Sequence, residues 1–340
     1  MWFDAVMAPA TLQAAGPQAA AAEALGLDGV WTSETQHDPF LPLGPAALAT
    51  RRVTLGTAIA VAFPRSPTIT AQTAWDLAAA SEGRFVLGLG TQVKAHIERR
   101  FGLTWEPPVA RLRDYIGAVR AVWHTWQTGE RLRYEGDFYT LKLMTPFFSP
   151  PPLTVPPPPI YIAGVNAGLC RLAGEICDGF QVHPLHTVAY LRDAVLPWIA
   201  EGLALAGRPR PAVQVCTTVF VIAGTGPERA AMREAARRQI AFYASTPSYA
   251  PVLAYHGWEA AGPALNALAG RGRWDEMGAV IDDSMLAAFA VEGDTFAAAA
   301  RAAQARYAGL ADRVGFYLPF VPGQRDAEWA AAAAVFHAAE

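Results

Sequence analysis

The segment from Leu55 to Lys94, LGTAIAVAFPRSPTITAQTAWDLAAASEGRFVLGLGTQVK, constrains the fold more than any other part of the chain. Two apolar runs, Thr54 to Ala62 and Phe85 to Leu89, flank an alanine-rich stretch of helical length that stops at Ser81-Glu82-Gly83. Strands separated by one helix's length form βαβ units, and near-continuous apolar runs are parallel strands buried on both faces. In such sheets the chemistry collects beyond the carboxyl ends of the strands, here Ala62-Phe63-Pro64-Arg65 and Gly90-Thr91-Gln92.

The same rhythm recurs along the chain. A strand from Trp2 to Met7 precedes a helix from Thr11 to Leu25, and Gly29 to Ser33 is the next strand. Beyond the pair already described, strands are expected at Ile160 to Ala163, Gly179 to Val182, Val213 to Ala223 and Arg313 to Leu318, with a terminal helix from Ala327 to Ala339. Eight strands over 340 residues predict an α/β fold of the (β/α)8 TIM-barrel kind, a single domain spanning 1–340, with insertions after strands four and seven. The first insertion holds a helix through Val109 to Trp126, a hairpin from Leu132 to Leu143, and a stiff connector of Pro150 to Pro152 and Pro156 to Pro159. The second, about 227–307, is expected to be helical or irregular.

Hydrophobic residues make up 52% of the chain and charged residues 17%, so the polar surface is thin. A subunit interface is the natural way to bury the excess, and a homodimer is expected. The net charge of −3 comes with no basic stripe, which argues against nucleic acid and anionic membranes as partners and leaves a small-molecule substrate. No run approaches the ~20 apolar residues of a membrane span, and Met1-Trp2-Phe3-Asp4 does not start a leader, so a cytoplasmic location is expected. Cys170, Cys177 and Cys216 make neither a disulfide framework nor a zinc motif.

The chain lacks GxxxxGK[ST], GxSxG and HExxH, and Gly88-Leu89-Gly90 has Val93 where a dinucleotide fingerprint needs glycine. Glu34, His37 and Asp38 group two acids and a base at the end of the second strand, where acid–base residues of barrels lie. Gly164-Val165-Asn166 follows a strand and opens a helix, so it is either a phosphate cradle or an ordinary turn capped by Asn166. His183 and His186 have i, i+3 spacing, but Pro184 and the lack of an adjacent carboxylate partner argue against a metal pair. His183 is expected to line the pocket and His186 the surface. Phe63, at a strand end, is placed to wall a flat ring, while Trp123 and Trp126 pack inside. Gly88 and Gly90 permit close approach to a planar ligand, with Thr91 and Gln92 offering hydrogen bonds.

GVWTSETQHDPF, LGTAIAVAFPRSP, SEGRFVLGLGTQ, PIYIAGVN, RLAGEICDGF and RVGFYLPF together resemble the bacterial luciferase-like family of flavin and deazaflavin oxidoreductases, over nearly the whole chain. SETQHDPFLPL and the closing RVGFYLP are more similar to its F420-dependent branch. The resemblance implies a (β/α)8 barrel binding FMN or the deazaflavin coenzyme F420 at its carboxyl face. It also implies a bulge with a non-prolyl cis peptide between Ala58 and Ile59, pressed against the ring, with Thr91 and Gln92 beside it. Ala163, Gly164, Val165 and Asn166 would then lie near its phosphate.

Two departures stand out. Glu34 is followed by Thr35 rather than by histidine, and Val93 replaces a glutamate common in the branch. The implied function is F420-dependent hydride transfer to or from a small organic substrate, with His37 first and Glu34 second as handler of the proton. An FMN-dependent monooxygenase using reduced flavin and oxygen is the alternative, and a barrel that binds a coenzyme without catalysis is the third.

Overall fold

A computed structural model describes residues 1–9 and 11–338. Its strands are β1 (Trp2–Met7), β2 (Gly29–Thr32), β3 (Thr54–Thr57), β4 (Phe85–Gly90), β5 (Ile160–Gly164), β6 (Gly179–Val182), β7 (Gln214–Ala223) and β8 (Arg313–Phe320). Every neighbouring pair is parallel, β8 pairs β1, and β6 pairs β7, so the sheet closes on itself into an eight-stranded barrel. Helices α1 (Leu12–Ala24), α2 (Leu43–Ala49), α3 (Pro67–Ala80), α4 (Lys94–Arg99), α5 (Pro108–Thr128), α6 (Ala167–Ile176) and α7 (188–205) connect the strands. Local chemistry starts them where expected: Thr11 and Ser66 cap α1 and α3 through their hydroxyls, and Pro67 opens the latter. Among the described residues no helix is long and apolar enough to cross a membrane.

The barrel axis is closed at its lower end by polar side chains rather than by aliphatics alone. Arg313 grips Asp4 through two bonds of 2.7 Å, and the Trp31 indole N–H donates to the same carboxylate at 2.8 Å. Burial disfavours the guanidinium charge, but the facing Asp4 carboxylate reverses the effect and leaves the Arg313 pKa raised. Tyr161, Val86 and Cys216 complete this layer.

The stretch 224–312, between β7 and β8, contains α8 (Gly226–Ala244), further short helices, and α9 (Phe296–Tyr307). It also contains a strand, Ala290–Gly293, that runs parallel to the upper half of β7. That corrects the expectation of helical or irregular chain throughout. Four residues ending in Glu-Gly and paired along one edge carry too little alternation to be seen in sequence. The terminal helix α10 covers Asp326–His337, and the expected end at Ala339 lies outside the described residues.

A second correction concerns the third strand. Gly56 pairs Val86 and Ala60 pairs Leu89, so the third strand carries one residue more than β4 across the same gap. The run from Thr54 to Ala62 is therefore a strand, a bulge at Ala58-Ile59, and a resumed strand Ala60–Val61. The peptide between Ala58 and Ile59 is cis, where the resemblance implied it.

Candidate active site

The bulge is held from three sides. The Ala58 N–H donates to Thr32 O at 2.6 Å, and the Ile59 carbonyl accepts from the Glu34 N–H at 3.2 Å. The Thr57 hydroxyl bridges the carbonyl and N–H of Gly88, at 2.6 and 2.9 Å, where the ladder between the strands opens. Across the barrel, Gln181 on β6 donates to Thr57 O at 3.3 Å. These bonds leave aside the Ala58 carbonyl and the Ile59 N–H, both on half-buried residues at the barrel mouth.

Gly88 and Gly90 prove to serve this bulge. A Cβ on Gly88 would stand 1.8 Å from Thr57 O, and one on Gly90 would meet Ile59 Cδ1 at 2.6 Å. The space expected to admit a planar ligand is filled by protein at those two positions. The open floor lies beside them, where the inward positions at the tops of β1, β2, β3 and β5 are Ala8, Ser33, Ala58 and Ala163, all exposed or half-buried.

Beyond β4, Thr91 is buried and its hydroxyl donates to Gln92 O at 3.1 Å. Gln92 has φ 58°, a left-handed conformation uncommon for a residue with a side chain, and its amide oxygen accepts from the Val93 N–H at 3.0 Å. Beyond β5, Ala163 and Gly164 are half-buried, and Val165 O accepts from the Tyr190 hydroxyl at 3.3 Å. Asn166 stands at the N-cap of α6 without capping it; its side chain donates instead to Ser248 O at 3.3 Å. The first N–H groups of α6 therefore face the mouth uncapped by that side chain.

At the end of β2 the structure holds Glu34 and Asp38 together on one guanidinium and leaves His37 apart. Glu34 Oε2 accepts from the Val61 N–H at 2.7 Å and from Arg65 Nη1 at 2.6 Å, and Arg65 Nη2 reaches Asp38 at 2.9 Å. Desolvation pulls the Arg65 pKa down, but bonding to Glu34 and Asp38 outweighs it and the pKa is raised. Glu34 is thus half of an ion pair that ties β2 to the resumed third strand. His37 is exposed and has no hydrogen bond among the described residues. Arg65 is a residue that sequence reasoning missed, although it closes the quoted strand end Ala62-Phe63-Pro64-Arg65.

Phe63 is 4% exposed, with the Arg111 guanidinium 4.6 Å from its ring centre. The β6 to β8 side of the mouth is aromatic. Alternation from Gln181 sets His183 over the mouth, and alternation from Arg313 does the same for Tyr317. His183 packs edge-on against Tyr243 at 4.7 Å and tilted against Tyr249 at 4.4 Å, and the hydroxyls of Tyr243 and Tyr317 bond to each other. Tyr317 was within reach of the alternation in RVGFYLPF; Tyr243 and Tyr249 come from the long insertion, where no sequence signal marked them.

His186 is not at the surface. Only 3% exposed, it donates from Nδ1 to His183 O at 2.8 Å, while Nε2 accepts from the Tyr307 hydroxyl at 2.9 Å and faces the Thr217 hydroxyl at 3.2 Å. Desolvation lowers the pKa of both rings, to about 4 for buried His186 and to about 3 for half-buried His183, which favours their neutral forms. A cleft at the opposite end of the barrel, lined by Arg120, His124, Gln127, Pro156 to Pro159 and Asp178, holds none of the groups described above.

The family model of the luciferase-like monooxygenases matches residues 3–312. An uncharacterized protein of Mycobacterium tuberculosis is 48% identical over 309 residues, 90% of each chain. The 5,10-methylenetetrahydromethanopterin reductase of Archaeoglobus fulgidus is 29% identical over 279 residues, 80% of each chain. The solved structure of the coenzyme F420-dependent tetrahydromethanopterin reductase of Methanopyrus kandleri shares the fold, with a TM-score of 0.77 at 20% identity over 98% of this chain and 97% of that one. The family match runs from β1 to the threshold of β8, and this chain is an oxidoreductase of the luciferase-like family, with F420-dependent enzymes among its relatives.

Proposed function

We propose that this enzyme exchanges a hydride between coenzyme F420 and a small organic substrate at the barrel mouth. The observation that carries the proposal is the Ala58-Ile59 bulge, whose Ala58 carbonyl and Ile59 N–H take no part in the bonds that hold it and border a floor of small side chains. A planar heterocycle with a polar edge fits that arrangement, and the residues present suit the deazaflavin. When bound, F420 supplies a carbon centre that gives or takes a hydride and is confined largely to that chemistry.

The chain's own groups then divide the work. Ala58 O and the Ile59 N–H meet the polar edge, with Thr91 and Gln92 beside them. Ala163 to Asn166 and the first turn of α6 receive a phosphate, where N–H groups and the helix dipole favour an anion. Glu34, paired to Arg65, holds the resumed strand through the Val61 N–H and so positions the bulge. His37, exposed at the rim, passes the accompanying proton to and from solvent.

The same reading extends to a homodimer in a reducing cytoplasm. Exposed Leu41, Leu48 and Ile69 on and beside α2 and α3 support the first, and three buried free cysteines fit the second. The FMN monooxygenase reading draws on the description of the family model. Anaerobic assay with reduced F420 and a panel of small carbonyl compounds and activated alkenes separates the two. Oxidation of the coenzyme without oxygen supports hydride transfer; turnover only with reduced FMN and oxygen overturns it.

A further inference from the structure

The neutral histidine at the end of β6 has one nitrogen committed and one free. The Leu185 N–H donates to His183 Nδ1 at 3.1 Å, which requires that nitrogen to be unprotonated, so the ring carries its hydrogen on Nε2. Packing opposes a swing of the ring that would exchange the two. Tyr243 and Tyr249 flank it, and its backbone carbonyl is held by His186 Nδ1, whose other nitrogen is engaged by Tyr307 and Thr217. Among the described residues Nε2 of His183 has no partner, while the bond between the hydroxyls of Tyr243 and Tyr317 commits one of their two hydrogens.

We infer that His183 Nε2–H is a fixed, uncharged hydrogen-bond donor for the substrate's oxygen, which makes ketones, aldehydes and their alcohols the substrate class of this site. The inference rests on the F420 reading above. In the reducing direction a C–H bond of the reduced coenzyme would break as its electron pair forms the new C–H bond at the carbonyl carbon, the C=O π pair would move to oxygen, and that oxygen would take a proton from solvent through His37, with reduced F420 as the two-electron reductant. His183 keeps its own hydrogen throughout; its part is to meet the negative charge that grows on oxygen with a donor already aimed, which costs no reorganisation at that moment. A neutral donor suits this better than a cation, because it does not hold the alkoxide product as an ion pair. Apolar ring faces beside the donor favour an oxygen carried on an apolar skeleton.

Two measurements test this. Nitrogen-15 shifts of the histidine rings in the full-length protein are expected to show His183 as the neutral Nε2–H form and unchanged between pH 8 and pH 5; an Nδ1–H form, or an imidazolium at pH 6, overturns the inference. His183→Phe, which keeps a ring but loses the donor, is expected to lower kcat for carbonyl reduction on the order of 100-fold, the loss typical for one oxyanion donor. Its F420 affinity, read by fluorescence quenching, is expected to stay within about threefold of the parent, and His183→Gln to recover part of kcat, since an amide N–H can replace the donor. Unchanged kcat in His183→Phe overturns the inference, as does turnover confined to alkenes or failure of every ketone, aldehyde and alcohol in the panel with F420 bound. If F420 does not bind the parent protein at all, it is the coenzyme reading that fails, and the nitrogen-15 result still stands on its own.

Discussion

Gly88 lies so close under the third strand that a Cβ on it would stand 1.8 Å from the carbonyl oxygen of Thr57. No rotamer can relieve a contact between a Cβ and a backbone atom, so any side chain here must push the two strands apart just below the bulge.

Gly88→Ala is therefore expected to destabilise the fold by roughly 1–3 kcal/mol, the usual range for overpacking a tight core. It should also weaken coenzyme binding, because Thr57 can no longer bridge Gly88. Chemical denaturation and coenzyme titration of the same variant check both parts. A variant as stable as the parent would show that the strands separate freely at this point.

Arg65 spans Glu34 and Asp38 from a largely buried position, and Glu34 is more buried still. Removing the guanidinium leaves the Glu34 carboxylate with its Val61 N–H alone. Arg65→Ala is expected to cost about 3 kcal/mol, as for other buried pairs broken from one side. Arg65→Ala combined with Glu34→Gln should recover much of that loss, which a double-mutant cycle in urea would measure.

The lower end of the barrel makes a parallel prediction with no functional consequence. Arg313→Met strands the Asp4 carboxylate among Trp31, Tyr161 and Cys216 and is expected to cost about 3–5 kcal/mol. The pair Asp4→Leu with Arg313→Met should regain most of it, since well-packed apolar replacements for buried ion pairs are often neutral. Equal losses in the single and double variants would contradict this.

The alternation of strand and helix was legible because parallel barrel strands, buried on both faces, are near-continuous apolar runs such as FVLGLG. Legible too were the ends of those strands as the place for a site. Ala58 and Ile59 were marked only by resemblance, since nothing in the run LGTAIAVA announces an extra residue. The fate of Glu34 and Asp38 depended on Arg65, which approaches from the turn after the resumed third strand, and no local pattern tells a carboxylate which guanidinium it will meet. His186 looked like a loop residue because its partners, Thr217 and Tyr307, lie 31 and 121 positions away. The short strand Ala290–Gly293 escaped because its regularity exists only against β7.

His186 also gives stability a pH dependence. Its folded pKa is lowered from 6.5 to about 4 by burial, so between those values the unfolded chain binds a proton that the folded ring refuses. Stability is then full above about pH 6.5 and is lost as pH falls toward 4, by on the order of 3 kcal/mol for this group. Urea midpoints recorded from pH 7 to pH 4 are expected to drop, and His186→Asn, less stable at pH 7, should show a flatter profile. A parallel profile in the variant would place the acid sensitivity elsewhere.

The bulge and its floor of small residues are the centre of this account, and equilibrium titration with F420 and, separately, FMN, following quenching of each ring's fluorescence, tests them most directly. Tight binding of F420 with weak binding of FMN is the predicted result. Preference for FMN, or binding of neither, would contradict it.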